Sequence, residues 1–290
     1  MRLGAREGGC GRFGTFGCEA SLRTFLRGGR LAVRGAGLPP LSTIMTETIY
    51  HYQGEAGRRY HHGKRGIPAA AYPWIAQLRS AKFSPHIRST DVVFEFGVGA
   101  GWNLAALTCA RRMGHDITEF LEPELEQQGI EFIAATPQLE SGIVDVAICH
   151  HALEHVLEPA VVLKELHRLL RPGGTLLLAV PFERERRYRR YQPAEPNHHL
   201  YSWNPQTLGN LVVETGFVLH SIELGQFGYD RFAAAMAGRF HLGERGFRFI
   251  RALTHALLPG REVRAVASIC PLTDPNQPKT TKPWTKCSAP

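Results

Sequence analysis

The chain has 290 residues, 43% hydrophobic and 21% charged, with 34 Lys and Arg against 26 Asp and Glu for a net charge of +8. That composition excludes wholesale disorder, and no apolar run approaches the roughly 18 residues that a membrane-crossing helix needs. Six cysteines, at positions 10, 18, 109, 149, 270 and 287, form no C-x-x-C pair; this predicts free thiols in a reducing compartment and a cytoplasmic protein.

In chain order, residues 1–44 hold ten of the 30 glycines, seven Arg, no Lys and only two acids, without sustained apolar periodicity. They read as a disordered extension, with Met1 or Met45 as the true start; the Arg-rich, acid-poor text also fits an organellar transit peptide. Residues 45–270 read as one domain. Tyr50–Arg65 is expected to form a lid, and Pro68–Phe83 a leading helix interrupted at Pro73. Asp91–Phe96 is a buried-type strand, Gly101–Leu107 the start of a helix, Arg112–Asp116 a strand and Glu122–Gln128 a short helix. Strands follow at Gly129–Ala134 and Val144–Cys149. A helix over Glu158–Leu170 has Pro159 in its first turn and an apolar stripe through Leu163, Leu166 and Leu170. Thr175–Val180 is a strand, Asn204 caps a helix that Gly216 stops, and Phe217–Glu223 is a strand. Residues 229–258 read as two basic amphipathic helices inserted as a cap, and Glu262–Ile269 as the last strand. Residues 271–290, with five prolines, read as a disordered tail. The alternation predicts an α/β fold, a Rossmann-like doubly wound, seven-stranded and mostly parallel sheet with helices on both faces. Charge placement matters here: residues 1–44 hold +5 and 271–290 hold +2, leaving +1 for 45–270. The basic excess is therefore a weak argument for a nucleic-acid partner.

The best-defined chemistry is Glu95-Phe96-Gly97-Val98-Gly99-Ala100-Gly101, after a buried-type strand. Glycines allow a tight turn and close backbone approach to a ligand. A dinucleotide fingerprint would need its third glycine at position 102, which is Trp102.

From this loop onward, residues 90–223 resemble the class I S-adenosylmethionine-dependent methyltransferases of the type 11/type 23 branch. VVFEFGVGAGWNLAAL, VDVAICHHALEHVLEP, ELHRLLRPGGTLLLAVP and HLYSWNPQTLGNLVVETGF follow one another as that family's motifs do. The resemblance implies S-adenosyl-L-methionine as cofactor. It assigns Glu95 to the methionine amino group and Gly97, Gly99 and Gly101 to the homocysteine and ribose side. Asp116 falls to the ribose hydroxyls, with Glu119 and Glu122 as alternatives, and Cys149 and His150 to the neighbourhood of the methyl group. The stretch after the third strand, AATPQLE, has no acid before Glu140, so adenine contacts are expected to be backbone and apolar. In-line methyl transfer demands alignment and, for a hydroxyl acceptor, removal of a proton. His150, His198 and His199 are the candidate bases; Glu154 and His155 read as a turn and cap.

A small-molecule acceptor, with an anionic one among the options, is the leading expectation. RNA or protein methylation and a non-catalytic cofactor-binding relative are the alternatives. His151-Ala152-Leu153-Glu154-His155 also spells the H-x-x-E-H of a zinc peptidase, but follows a strand where that motif needs a helix; no metal is expected. The Arg-rich Glu183–Arg190 fits an anionic acceptor or a solvated loop.

Overall fold

The computed structural model describes residues 52–64, 66–182, 190–191 and 197–270. The expected extension at 1–44, the tail at 271–290 and nearly all of the Arg-rich run at 183–190 lie outside them. Seven strands form one sheet: β1 (Val92–Phe96), β2 (Arg111–His115), β3 (Glu131–Ile133), β4 (Val144–His150), β5 (Leu170–Pro181), β6 (Val218–Gln226) and β7 (Arg261–Ser268). Their order is β3-β2-β1-β4-β5-β7-β6. All pairings from β3 to β5 are parallel, whereas β7 runs antiparallel to both β5 and β6. The fold class read from the sequence is thus observed.

The strands form where the sequence is apolar over short runs. Every residue of β4 is buried, as expected of a central parallel strand covered on both faces. Helix α4 (Pro159–Leu169) lays Leu163, Leu166 and Leu169 on one face, each fully buried; such burial contributes roughly 1.5–3 kcal/mol per side chain. Helix α5 (Pro205–Glu214) starts at a capping box, with Thr207 N donating to Asn204 Oδ1 at 3.0 Å and Asn204 N donating to Thr207 Oγ1 at 3.3 Å. The other helices are α1 (Gly54–Lys64), α2 (Tyr72–Phe83), α3 (Glu122–Gln127), α6 (Asp230–Arg239) and α7 (Gly243–Leu257).

Three readings are corrected. Pro73 opens α2 instead of interrupting a longer helix, because a proline in the first turn lacks only an N–H that the helix does not use. Residues 101–106 form bends and turns, not a helix. The link between β1 and β2 must return along a five-residue strand, roughly 17 Å, and a six-residue helix would cover only about 9 Å. Finally, Cys109 and Cys149 are free but Cys270 is disulfide-bonded, so the expectation of free thiols fails at that residue.

Candidate active site

The C-terminal ends of β1, β2 and β4 open into a cleft of about 1830 Å³, the edge where parallel sheets bind ligands. One wall is the glycine loop. Gly97 N and Val98 N both donate to His115 O, at 2.8 and 3.0 Å, and tie the loop to the end of β2. Gly97, Gly99 and Gly101 all have positive φ, at 73°, 52° and 76°. A Cβ at Gly97 would lie 2.5 Å from that of Ala152, whereas one at Gly99 would enter open space. The first glycine is therefore demanded by packing and conformation, the second by conformation alone.

Asp116, just past β2, lines the cleft. It accepts Gly99 N on Oδ2 at 2.9 Å and Thr118 N on Oδ1 at 3.0 Å. Each carboxylate oxygen keeps a further lone pair for a ligand hydroxyl. Glu119 and Glu122 do not line the cleft. Glu95 is fully buried behind Asn103, whose amide donates to Oε1 at 2.5 Å; Oε2 has no partner. Burial pushes this carboxyl up to about 8, against the opposing pull of the Asn103 bond and of Arg79. Glu95 and Gly101 are not among the residues that line the cleft, whereas Asn103, which holds Glu95 Oε1, is. No residue of 134–140 lines the cleft, whereas His61, Ile117 and Thr118 do.

The opposite wall centres on Glu262, the second residue of β7, which is fully buried. Because β7 is antiparallel, its start meets the ends of β4 and β5. Oε1 accepts Lys82 Nζ at 2.5 Å and Arg264 Nε at 2.6 Å, and Oε2 accepts His151 Nε2 at 3.0 Å. Lys82 also donates to His150 Nε2 at 2.9 Å. That bond requires a lone pair on His150 Nε2, so the 3.5 Å approach of this nitrogen to Glu262 is not a hydrogen bond. Burial would raise the Glu262 carboxyl, but the imidazoles and Lys82 hold it far below the ordinary carboxylate range. Burial lowers Lys82 to about 8, opposed by Glu262. Burial, then the charge of Lys82, drives His150 well below 6.5. Burial takes His151 down to about 4 although Glu262 opposes it.

His151 has φ of 53°, a strained value for a branched ring side chain, and packs on Phe227 with ring centroids 4.0 Å apart. It lines the cleft, as do His150 and His199. His198 does not line it, and Cys149 is packed in the central core, where burial pushes its thiol up. His199 stands against His155, centroids 4.8 Å apart. The sequence reading missed Glu262, Lys82 and Asn103 altogether; no local motif marks them.

The H-x-x-E-H segment is a 3-10 turn over Leu153–His155, and its two histidines flank Glu154 Oε1 at 3.8 and 3.7 Å, each with a different further partner. His151 binds Glu262, whereas His155 Nδ1 meets the Tyr52 hydroxyl at 2.7 Å. Donor atoms of Glu154, His155 and His199 lie within 4.8 Å of one another, as do those of His150, His151 and Glu262. In the second group Lys82 already supplies the cation. The lid expected at Tyr50–Arg65 coincides with α1. Tyr52 donates its hydroxyl to Asn197 O at 2.7 Å, and Thr118 Oγ1 donates to Tyr52 O at 3.1 Å, so this segment closes one side of the cleft.

Residues 71–222 match the family model described as a methyltransferase domain. The chain belongs to that family. The methyltransferase domain is of the class I, S-adenosylmethionine-dependent kind, and this cofactor suits the cradle above. A Mycobacterium tuberculosis protein named as a probable S-adenosylmethionine-dependent methyltransferase is 26% identical over 149 residues, covering 49% of this chain and 54% of its own. A ubiquinone biosynthesis O-methyltransferase of Xanthomonas oryzae is 32% identical over 65 residues, covering 22% of this chain and 26% of its own. The chain therefore spans about half or less of these relatives. In fold it is similar to the Burkholderia thailandensis 1,6-didemethyltoxoflavin-N1-methyltransferase, solved with S-adenosylhomocysteine, at a TM-score of 0.53, 19% identity and coverage of 81% and 92%. Family membership removes the peptidase reading, and the segment is a 3-10 turn where that motif needs a helix.

Proposed function

We propose that the protein methylates a small-molecule acceptor and that His151 takes the acceptor's proton. The observation that carries this is one cleft with a glycine cradle and Asp116 on one wall and a half-buried, carboxylate-held imidazole, His151, on the other. Its volume of about 1830 Å³ exceeds the roughly 300–1,000 Å³ of a single-ligand pocket, leaving room for cofactor and acceptor together. Two similar proteins are named for small acceptors, one methylated at oxygen and one at nitrogen.

S-adenosylmethionine, when bound, supplies a methyl group already activated by its sulfonium charge. The chain's own residues bind and orient. Glu95, once ionised, holds the amino group; Gly97 and Gly99 admit the ligand to the backbone; Asp116 accepts from the ribose hydroxyls. His151 donates Nε2–H to Glu262, which leaves Nδ1 with a lone pair for an acceptor hydroxyl. The charge that develops on the ring is flanked by Glu262 at 3.0 Å and by Glu154, whose Oε1 is 3.8 Å from Nδ1. Its low pKa keeps this base unprotonated at neutral pH. Glu262 acts through the ring as a positioning residue, in the manner of a base–orienter pair.

The test is transfer of labelled methyl groups into cell extract, separated into small-molecule, lipid, RNA and protein fractions. Label in the small-molecule or lipid fraction is expected; label confined to RNA or protein overturns the reading. His151→Asn should lower kcat about 100-fold with S-adenosylhomocysteine affinity unchanged. Unchanged kcat would remove His151 from the mechanism.

A further inference from the structure

Helices α6 and α7 meet the fold's needs with one face only. Phe247 is buried against Trp74, with ring centroids 5.9 Å apart, and it joins Ala233, Ala234 and Ala237 in a small core with Ile75 and Trp102. The outward side is nonetheless apolar. Phe232, Phe240, Leu242, Phe249, Leu253 and Leu257 are between 50% and 70% exposed. Positions 242, 249, 253 and 257 recur at helical spacing and form a second stripe with no partner among the described residues. A solvated cap would carry polar groups there; apolar exposure on this scale marks an interaction surface.

The charge around the stripe selects the partner. The hairpin holds five arginines against two acids, Asp230 and Glu244. Those acids are taken: Arg251 binds Asp230 at 2.7 Å and Arg248 binds Glu244 at 2.7 Å. Arg231, Arg239 and Arg245 are exposed and have no acid partner among the described residues. An apolar helical stripe beside uncompensated arginines suits a plane that is apolar beneath and anionic on top. Arginine stems can lie along the apolar layer while the guanidinium groups reach phosphate.

We propose that the α6–α7 hairpin docks on the surface of an anionic lipid bilayer, with α7 lying in the interface along its roughly 22 Å length. The stripe ends at the cleft: Phe232, Leu257 and Leu258 line the mouth. A docked hairpin therefore turns the mouth toward the headgroup layer. On the methyl-transfer reading, this makes the acceptor an amphiphile presented from the membrane. The docking itself stands without that reading.

Vesicle cosedimentation tests it with the full chain. Binding to phosphatidylcholine vesicles containing a third phosphatidylglycerol is expected, with far less binding to phosphatidylcholine alone and a decline as salt rises. The double variant Phe249→Ser/Leu253→Ser should weaken binding about tenfold, and Arg239→Glu/Arg245→Glu by a similar factor. S-adenosylhomocysteine affinity and circular dichroism should not change in either, since these side chains are exposed and far from the cradle. The proposal is overturned if no vesicle is bound or if both variants bind as wild type does. It is equally overturned if sedimentation velocity shows a dimer that Phe249→Ser dissociates, because a second copy then covers the stripe. Loss of methyl transfer with vesicle binding intact would instead count against the assigned acceptor chemistry.

Discussion

On the β1–β2 side of the cleft, the contacts are local. Asn103 reaches Glu95 across eight positions and Gly99 reaches Asp116 across 17. On the β4–β7 side they are distant: Lys82 meets His150 across 68 positions, and His151 meets Glu262 across 111. The first wall is backbone shaped by glycines around a carboxylate with a free oxygen. The second is a set of buried charges that neutralise one another. One half keeps binding capacity in reserve; the other uses almost all of it internally, although His150 and His151 still line the cleft.

The comparison can be broken at four places. The largest effect is expected at Glu262. Glu262→Gln leaves the largely buried Lys82 without a counter-charge, and should cost about 3–5 kcal/mol, measured by urea unfolding. A change below about 1 kcal/mol would show that the second wall is not held by its charges. Asp116→Ala removes the acceptor of Gly99 N and Thr118 N, so it should cost about 1 kcal/mol of stability, and it should weaken S-adenosylhomocysteine binding roughly 30-fold by calorimetry, the loss of about 2 kcal/mol of ligand hydrogen bonding.

Third is Glu95. Its folded pKa of about 8 lies above the ordinary 4.5, so the folded state keeps a proton that the unfolded chain has lost. Its contribution is full below pH 4.5 and is lost as pH rises through about 8. Binding an ammonium group reverses the preference, so S-adenosylhomocysteine affinity should climb as pH rises toward about 8 and level off above it. Glu95→Gln should flatten that climb, lower the affinity and stabilise the ligand-free protein by about 1 kcal/mol. A pH-independent wild-type affinity would contradict the assignment. The smallest effect is at the lid: tryptic cleavage at Arg58 and Arg59 should slow a few-fold when S-adenosylhomocysteine is added, and unchanged rates would detach α1 from the cofactor.

The two halves also differ in how much the sequence disclosed. The glycine loop, Asp116 and the capped helix at Asn204 were legible because each is a run of neighbours whose spacing states its geometry. Glu262 was not, since it has no motif of its own and becomes central only when β7 runs antiparallel beside β5. Lys82 carries no signal beyond its place near the end of a helix, and only the fold brings it to Glu262 and His150. The missing helix after Gly101 failed for a different reason: residue types favoured it, but the return distance along β1 did not. Cys149 had the correct position on β4 and the wrong side-chain direction, which alternation along a fully buried strand leaves ambiguous.

The reversal of β7 has a consequence in time. Glu262 leaves the ribosome 111 residues after His151, roughly 10 s later at ordinary synthesis rates. Until then the glycine cradle can be complete while Lys82, His150 and His151 have no carboxylate to settle against. The second wall thus waits on β7, and a chain released before β7 would hold its glycine loop beside a Lys82 with no Glu262 to settle against.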